Sequence, residues 1–144
     1  MKTYKKLLVA VELDAALDTP LIERAKDLAE DHGAEIFLLH VIEHLGSYGA
    51  AYGVAAGANI EEILCGKAKE SLDELAQKYE ISESNRLLAK GDSAHAIIAE
   101  AESISADLIV VGSHGRHGLA LLIGSTADGV VHAASCDVLA VRLK

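Results

Sequence analysis

The stretch Gly112-Ser113-His114-Gly115-Arg116-His117-Gly118 follows directly on the apolar run Ala106 to Val111, and Gly124-Ser125-Thr126 comes shortly after it. Five of the twelve glycines of the chain fall between positions 112 and 129. A buried strand that empties into a glycine-rich turn and then a helix makes an anion site. Its backbone N–H groups are uncovered, and the helix start adds a partial positive charge. Ser125 and Thr126 bring hydroxyl donors to that helix start, and Arg116 brings positive charge to an otherwise acidic protein. Tight turning alone also accounts for a single Gly-x-x-Gly; the second glycine group tips the reading toward phosphate. Neither of the two best-known phosphate motifs is present. There is no Gly-x-x-x-x-Gly-Lys-Ser/Thr, and no Gly-x-Gly-x-x-Gly follows the first strand.

Other chemistry finds less support. His114 and His117 stand three apart, with His40, His44 and His132 elsewhere, but no Cys or acid is spaced to complete a zinc site beside them. We expect no metal held by protein ligands alone, and His114 is expected to orient the glycine-rich loop by hydrogen bonds. Ser113 and His114 are adjacent, which does not set up a nucleophile and its base, and no Ser-His-Asp or Cys-His constellation is evident. No catalytic residue is therefore assigned.

These residues need elements to position them. Lys5 to Val11 reads as a first buried strand, and Glu35 to Ile42 as a second. Between them Thr19 offers an N-cap with Pro20 at the first helical position, and Gly33 a stop. Glu43 to Ala58 loses all periodicity and reads as a long functional loop. Asn59 and Glu62 form a capping box for a helix whose apolar stripe is Ile60, Ile63, Leu64, Ala68, Leu72, Leu75 and Ala76. Arg86 to Ala89 is a short third strand. Gly91-Asp92-Ser93 turns into a helix carrying Ala94, Ile97, Ile98, Ala101 and Ile104 inward. A last helix starts near Ser125, with Ala127, Val130, Val131 and Ala134 inward, and Val138 to Val141 closes the chain as a strand. Strands alternating with helices give a parallel sheet covered on both faces. Ligands then sit beyond the carboxyl ends of the strands, where the strand order reverses.

The 144 residues suit one domain, residues 1–144. Hydrophobic residues make up 51% but aromatics only 3%, so the core is aliphatic. A formal charge of −9 with few bases argues against nucleic acid as a partner. Cys65 and Cys136 form no Cys-x-x-Cys pair and read as buried or half-buried free thiols. No run approaches membrane-spanning length and nothing resembles a signal peptide, so the expectation is a cytoplasmic protein with no membrane partner.

Over essentially its whole length the chain resembles the universal stress proteins of the UspA family. The resemblance rests on Tyr4 to Glu12, on Leu38-Leu39-His40-Val41, on Gly91-Asp92 and on Asp107 to Arg116. Gly124-Ser125-Thr126 and Cys136 to Val141 complete it. It implies an α/β fold, adenine-nucleotide alpha-hydrolase-like: an open five-stranded parallel sheet of order 3-2-1-4-5, with helices on both faces. Glu12 and Gly112 then face each other across the crevice between the first and fourth strands. It also implies a homodimer through the C-terminal strand.

The family divides into members that bind ATP and members that do not. Binders resemble Gly-x-x-Gly, nine residues, then Gly-Ser/Thr; this chain has Gly112 and Gly115 but eight residues before Gly124. The shorter segment is either absorbed as a tighter loop or displaces Ser125. Glu12 stands where binders commonly carry Asp, and Asp14 where Ser is frequent. Carried over by position, Ala10, Val11 and Val41 flank an adenine, though packing accounts for Val41 equally well. Glu12 and the Gly112 backbone hold the ribose or a magnesium ion. Gly115, Arg116, Gly124, Ser125 and Thr126 line the phosphates, and His114 belongs to the same nucleotide-binding loop. The implied function is ATP binding as a regulatory ligand, with at most weak hydrolysis; the alternative is a dimeric interaction module of the same family that binds no nucleotide.

Overall fold

The computed structural model describes residues 3–43, 54–113 and 124–143. The element order is β1 (Lys6–Ala10), α1 (Ala15–His32), β2 (Glu35–Ile42), α2 (Val54–Lys78), a 3-10 turn (Glu83–Asn85), β3 (Arg86–Lys90), α3 (Ser93–Ile104), β4 (Leu108–Ser113), α4 (Ser125–Ala133) and β5 (Asp137–Arg142). The strands form one sheet of order β3-β2-β1-β4-β5, and every pairing is parallel.

Side chains alternate across a strand, and the sheet buries both of its faces. Leu7, Val9 and Val110 pack with Leu21, Ile22 and Ala25 of α1 and with Leu72 and Ala76 of α2. Leu8, Ile109 and Val111 pack with Ile97 and Ala101 of α3 and with Ala127 and Val130 of α4. The helix after β1 therefore covers one face and the helix after β4 the other. The two connections part at the carboxyl ends of β1 and β4, which is where ligands bind in open sheets of this kind. At the opposite end of the same pair the strands are pinned: the Asp107 carboxylate accepts the N–H groups of both Lys5 and Lys6.

Several sequence expectations need correction. Helix α1 does not start at Thr19. Asp14 caps it, accepting from the Ala16 N–H at 3.0 Å, and Pro20 lies inside the helix. The carbonyl of Ala16, which loses its partner to Pro20, belongs to an exposed residue, as does Pro20 itself, so the gap is open to solvent. Helix α2 starts at Val54 rather than at an Asn59 cap. Ala55, Ala56 and Ala58 are strong helix formers and carry the helix through Gly57 and Asn59. Of the long loop expected over 43–58, residues 54–58 are thus helical, and 44–53 lie outside the described residues.

Two expected core residues are exposed, Ile63 by 55% and Val131 by 45%. Ile63 lies nine positions from the buried Leu72, which is about two and a half helical turns and so the opposite face. Val131 is next to the buried Val130 and points about 100° away from it. Other expectations hold. Gly33 ends α1 in the left-handed conformation at φ 65°, Asp92 caps α3, both cysteines are half-buried free thiols, and β5 is an edge strand.

Glycine at 129 has a packing reason. A Cβ there would lie 2.8 Å from the Ala94 Cβ, so its absence is what lets α4 approach α3.

Candidate functional site

The β1 side of the crevice is held by short contacts from its own neighbourhood. Just past β1, the Val11 N–H donates to the Leu39 carbonyl at 2.8 Å. The Val11 carbonyl lies 2.9 Å from His40 Nδ1, so the His40 tautomer that fits carries its proton on Nδ1. The chain then turns sharply through Glu12, Leu13 and Asp14, with Leu13 in the left-handed region at φ 63°. A non-glycine residue keeps that conformation only where its surroundings fix it.

Asp18 fixes it. Its Oδ1 accepts the Glu12 N–H at 2.9 Å and its Oδ2 the Asp14 N–H at 3.0 Å. Asp18 is 1% exposed. Burial pushes its carboxyl above the usual carboxylate range, the backbone N–H groups of Glu12, Asp14 and Leu13 pull the other way, and the nearby Glu12 charge adds to the rise. Glu12 itself stands exposed at the rim.

The β4 side is built differently. Gly112 and Ser113 end the strand. A Cβ on Gly112 would lie 2.5 Å from the Leu143 Cδ1, so the missing side chain makes room for Leu143. The Leu143 N–H also donates to the Ser113 carbonyl at 2.9 Å. Helix α4 opens with Gly124 as its cap residue, which has no side chain to offer its first N–H groups. Ser125 is the first helical residue and is exposed, while Gly124 and Thr126 are half-buried. Ser125 is therefore not the N-cap of α4.

The sequence-derived site residues divide accordingly. Ala10 and Val41 are half-buried on the same face of the sheet, against the α3–α4 cluster. Val11 is buried on the other face, against α1 and α2, so Ala10 and Val41 form one wall that Val11 does not share. Glu12 and Gly112 stand at the ends of two paired strands. His114, Gly115 and Arg116 lie outside the described residues, as does His117. Asp18 and His40 were not among the residues assigned to the site. His40 lies within the quoted Leu38 to Val41 stretch, and its contact is to backbone. Asp18 bonds backbone four and six positions before it, which leaves no mark in the spacing of side-chain types.

Magnesium beside a nucleotide takes one or two carboxylates together with phosphate oxygens and water. The exposed carboxylate of Glu12 is of that chemistry. Among the described residues no group of three or more His, Cys, Asp or Glu is placed to hold a metal by protein ligands alone. No helix among them is long and apolar enough to cross a membrane.

Comparison with known proteins bears on this arrangement. The model of the universal stress protein family matches residues 3–142. The chain is 49% identical over 144 residues to universal stress protein A homolog 2 of Coxiella burnetii, covering 100% of this chain and 99% of the relative. Among solved structures it resembles hypothetical protein MJ0577 with a TM-score of 0.79 at 23% identity, covering 99% of each chain. It also resembles a universal stress protein in complex with cAMP, with a TM-score of 0.64 at 20% identity, covering 99% of this chain and 100% of the other. The chain spans about half the length of two further structures, from Pseudomonas aeruginosa. At these identities the structural likenesses speak to the fold, which they share.

Proposed function

Because this chain belongs to the universal stress protein family, we propose that it binds an adenine nucleotide, ATP with magnesium, in the crevice between β1 and β4. The nucleotide acts there as a regulatory ligand. The observation that carries this reading is the strand order β3-β2-β1-β4-β5, with Glu12 on one side of the reversal and the bare start of α4 on the other. That a structural neighbour is a complex with cAMP supports an adenine nucleotide as the ligand class. In this reading Ala10 and Val41 flank the base, and Glu12 and the Gly112 backbone take the ribose or the magnesium ion. The phosphates fall to Gly124, Ser125 and Thr126, with His114, Gly115 and Arg116. Hydrolysis is at most weak, since no nucleophile and base stand together in the sequence.

Affinity in the micromolar to submillimolar range corresponds to about 5–8 kcal/mol. Calorimetric titration with Mg-ATP should show binding in that range, and the melting temperature should rise by mass action. Co-purified adenine nucleotide should appear by mass spectrometry of the denatured protein. No heat and no thermal shift at millimolar ATP would sink the proposal. The second reading is a dimeric interaction module without nucleotide. The eight-residue span between Gly115 and Gly124 favours it.

The proposal extends to assembly and place. Among the described residues β5 pairs with β4 alone and stands at the edge of the sheet. Its four central residues, Val138 to Val141, are apolar and half-buried. An open apolar edge invites pairing, so β5 is assigned as the antiparallel contact of a two-fold homodimer in the cytoplasm. Sedimentation at micromolar protein should give a dimer; a monomer contradicts it.

A further inference from the structure

The turn from β1 into α1 is closed by a side chain. The N–H groups of Glu12 and Asp14, on either side of Leu13, both donate to the Asp18 carboxylate, and the Leu13 N–H between them acts on the same carboxylate. Consecutive N–H groups around a left-handed residue, here Leu13 at φ 63°, form a concavity suited to an anion. Helix capping does not account for the arrangement. Asp14 already caps α1 through the Ala16 N–H. A capping box would place its acid at position 17 and reach back only to the Asp14 N–H. Asp18 reaches two residues further, to Glu12, and is 1% exposed.

We propose that Asp18 is a built-in anion that fills the backbone cup at the end of β1, holds Glu12 at the rim of the crevice, and leaves a ligand's phosphates only the α4 side. The third effect rests on the nucleotide reading above; the first two do not. Its physical basis is that a second anion entering the cup would meet the Asp18 charge at short range, with no donor left to compensate it. Asp18 is thus a positioning residue for Glu12 and a determinant of which wall takes the phosphates.

The test uses the full chain without nucleotide. Asp18→Ala empties the cup, and sodium formate supplies a carboxylate small enough to refill it; sodium chloride at equal ionic strength is the control. The variant should melt several degrees below the parent and recover part of that loss in formate, while the parent does not respond. The amide resonances of Glu12, Leu13 and Asp14 should shift on formate addition in the variant alone. Asp18→Asn keeps the volume but turns donors toward donors. It should show shifted amides at residues 12–14 and no formate recovery. If Asp18→Ala fails to fold, the Asp18→Asn amides decide: shifts at those three positions support the cup, and parent-like shifts overturn it. An Asp18→Ala variant that melts like the parent, or that responds to formate no more than the parent does, also overturns it. Failure of ATP to bind leaves all of these readouts intact, so the two proposals fall separately.

Discussion

The two walls of the crevice are finished in opposite ways. On the β1 wall every backbone group described above meets a protein partner: Val11 meets Leu39 and His40, and Glu12 and Asp14 meet Asp18. On the β4 wall, among the described residues, the ties come from the neighbouring strand end, where the Leu143 N–H donates to the Ser113 carbonyl, and no side chain caps the start of α4. Leu143 occupies the space over Gly112, and α4 begins at a glycine. A wall whose donors are spent is suited to holding a fixed shape and a rim carboxylate. A wall whose helix start carries no capping side chain is suited to receiving an anion from outside. The contrast separates stability from affinity: changes on the β1 wall should unfold, and changes on the β4 side should release ligand.

Four measurements break or sharpen that contrast. The largest effect is expected from Gly115→Val, in the stretch outside the described residues. On the nucleotide reading a side chain there would cover the backbone N–H groups assigned to the phosphates, so Mg-ATP binding should vanish by calorimetry while the melting temperature of the free protein is kept. Next is Asp18→Ala on the opposite wall. It strips the acceptor from two part-buried N–H groups, each worth about 1–2 kcal/mol to a charged partner, so urea denaturation should show a loss of about 2–4 kcal/mol. Ser125→Ala should weaken Mg-ATP binding by about 1 kcal/mol through one lost hydrogen bond, with no change in urea midpoint. A loss of stability there as large as at Asp18 would erase the distinction between the walls.

The smallest effect is in pH. Burial raises the Asp18 carboxyl, so its contribution is fullest below the ordinary carboxylate pKa and falls as pH rises through the raised value. The stability gap between the parent and Asp18→Asn should therefore narrow with rising pH across the carboxylate range. Asp73 gives the opposite sign. Its hydrogen bond from Lys69 at 3.1 Å, aided by Arg86, lowers its carboxyl. Its contribution is present above the ordinary value and lost as pH falls through the lowered one. The gaps in urea midpoint between the parent and Asp18→Asn, and between the parent and Asp73→Asn, should change with pH in opposite directions.

Much of the scaffold was legible in the residues. The apolar runs at Glu35 to Ile42 and Leu108 to Val111 are strands because both faces are covered, which removes any need for polar alternation. Gly33 and Asp92 act where their chemistry says they should. Strand order came from the family resemblance, since periodicity carries no information about neighbours. Helix starts were less legible. Thr19-Pro20 is a good local signal, but Asp14 lies five residues earlier and caps a longer helix. The adjacent Val130 and Val131 cannot both face the sheet, which composition does not reveal. At the site, Glu12, Gly112 and the helix start at Ser125 were found from residue type and position. Asp18 was not, because its partners are main-chain N–H groups, which every residue except proline carries.

The strand order has a further consequence, for the history of the molecule during synthesis. β1, β2 and β3 are neighbours in the sheet and all lie within the first 90 residues. β1 meets β4 through Leu7 and Leu108, about a hundred residues apart, and closing so long a loop is entropically slow. As the chain leaves the ribosome, the first three strands emerge while the inner edge of β1 still has no partner. The seam between the early and the late half is the crevice itself. Ligand protection and β1–β4 pairing should accordingly appear in the same kinetic phase of refolding, after the β1–β2–β3 half has gained its structure.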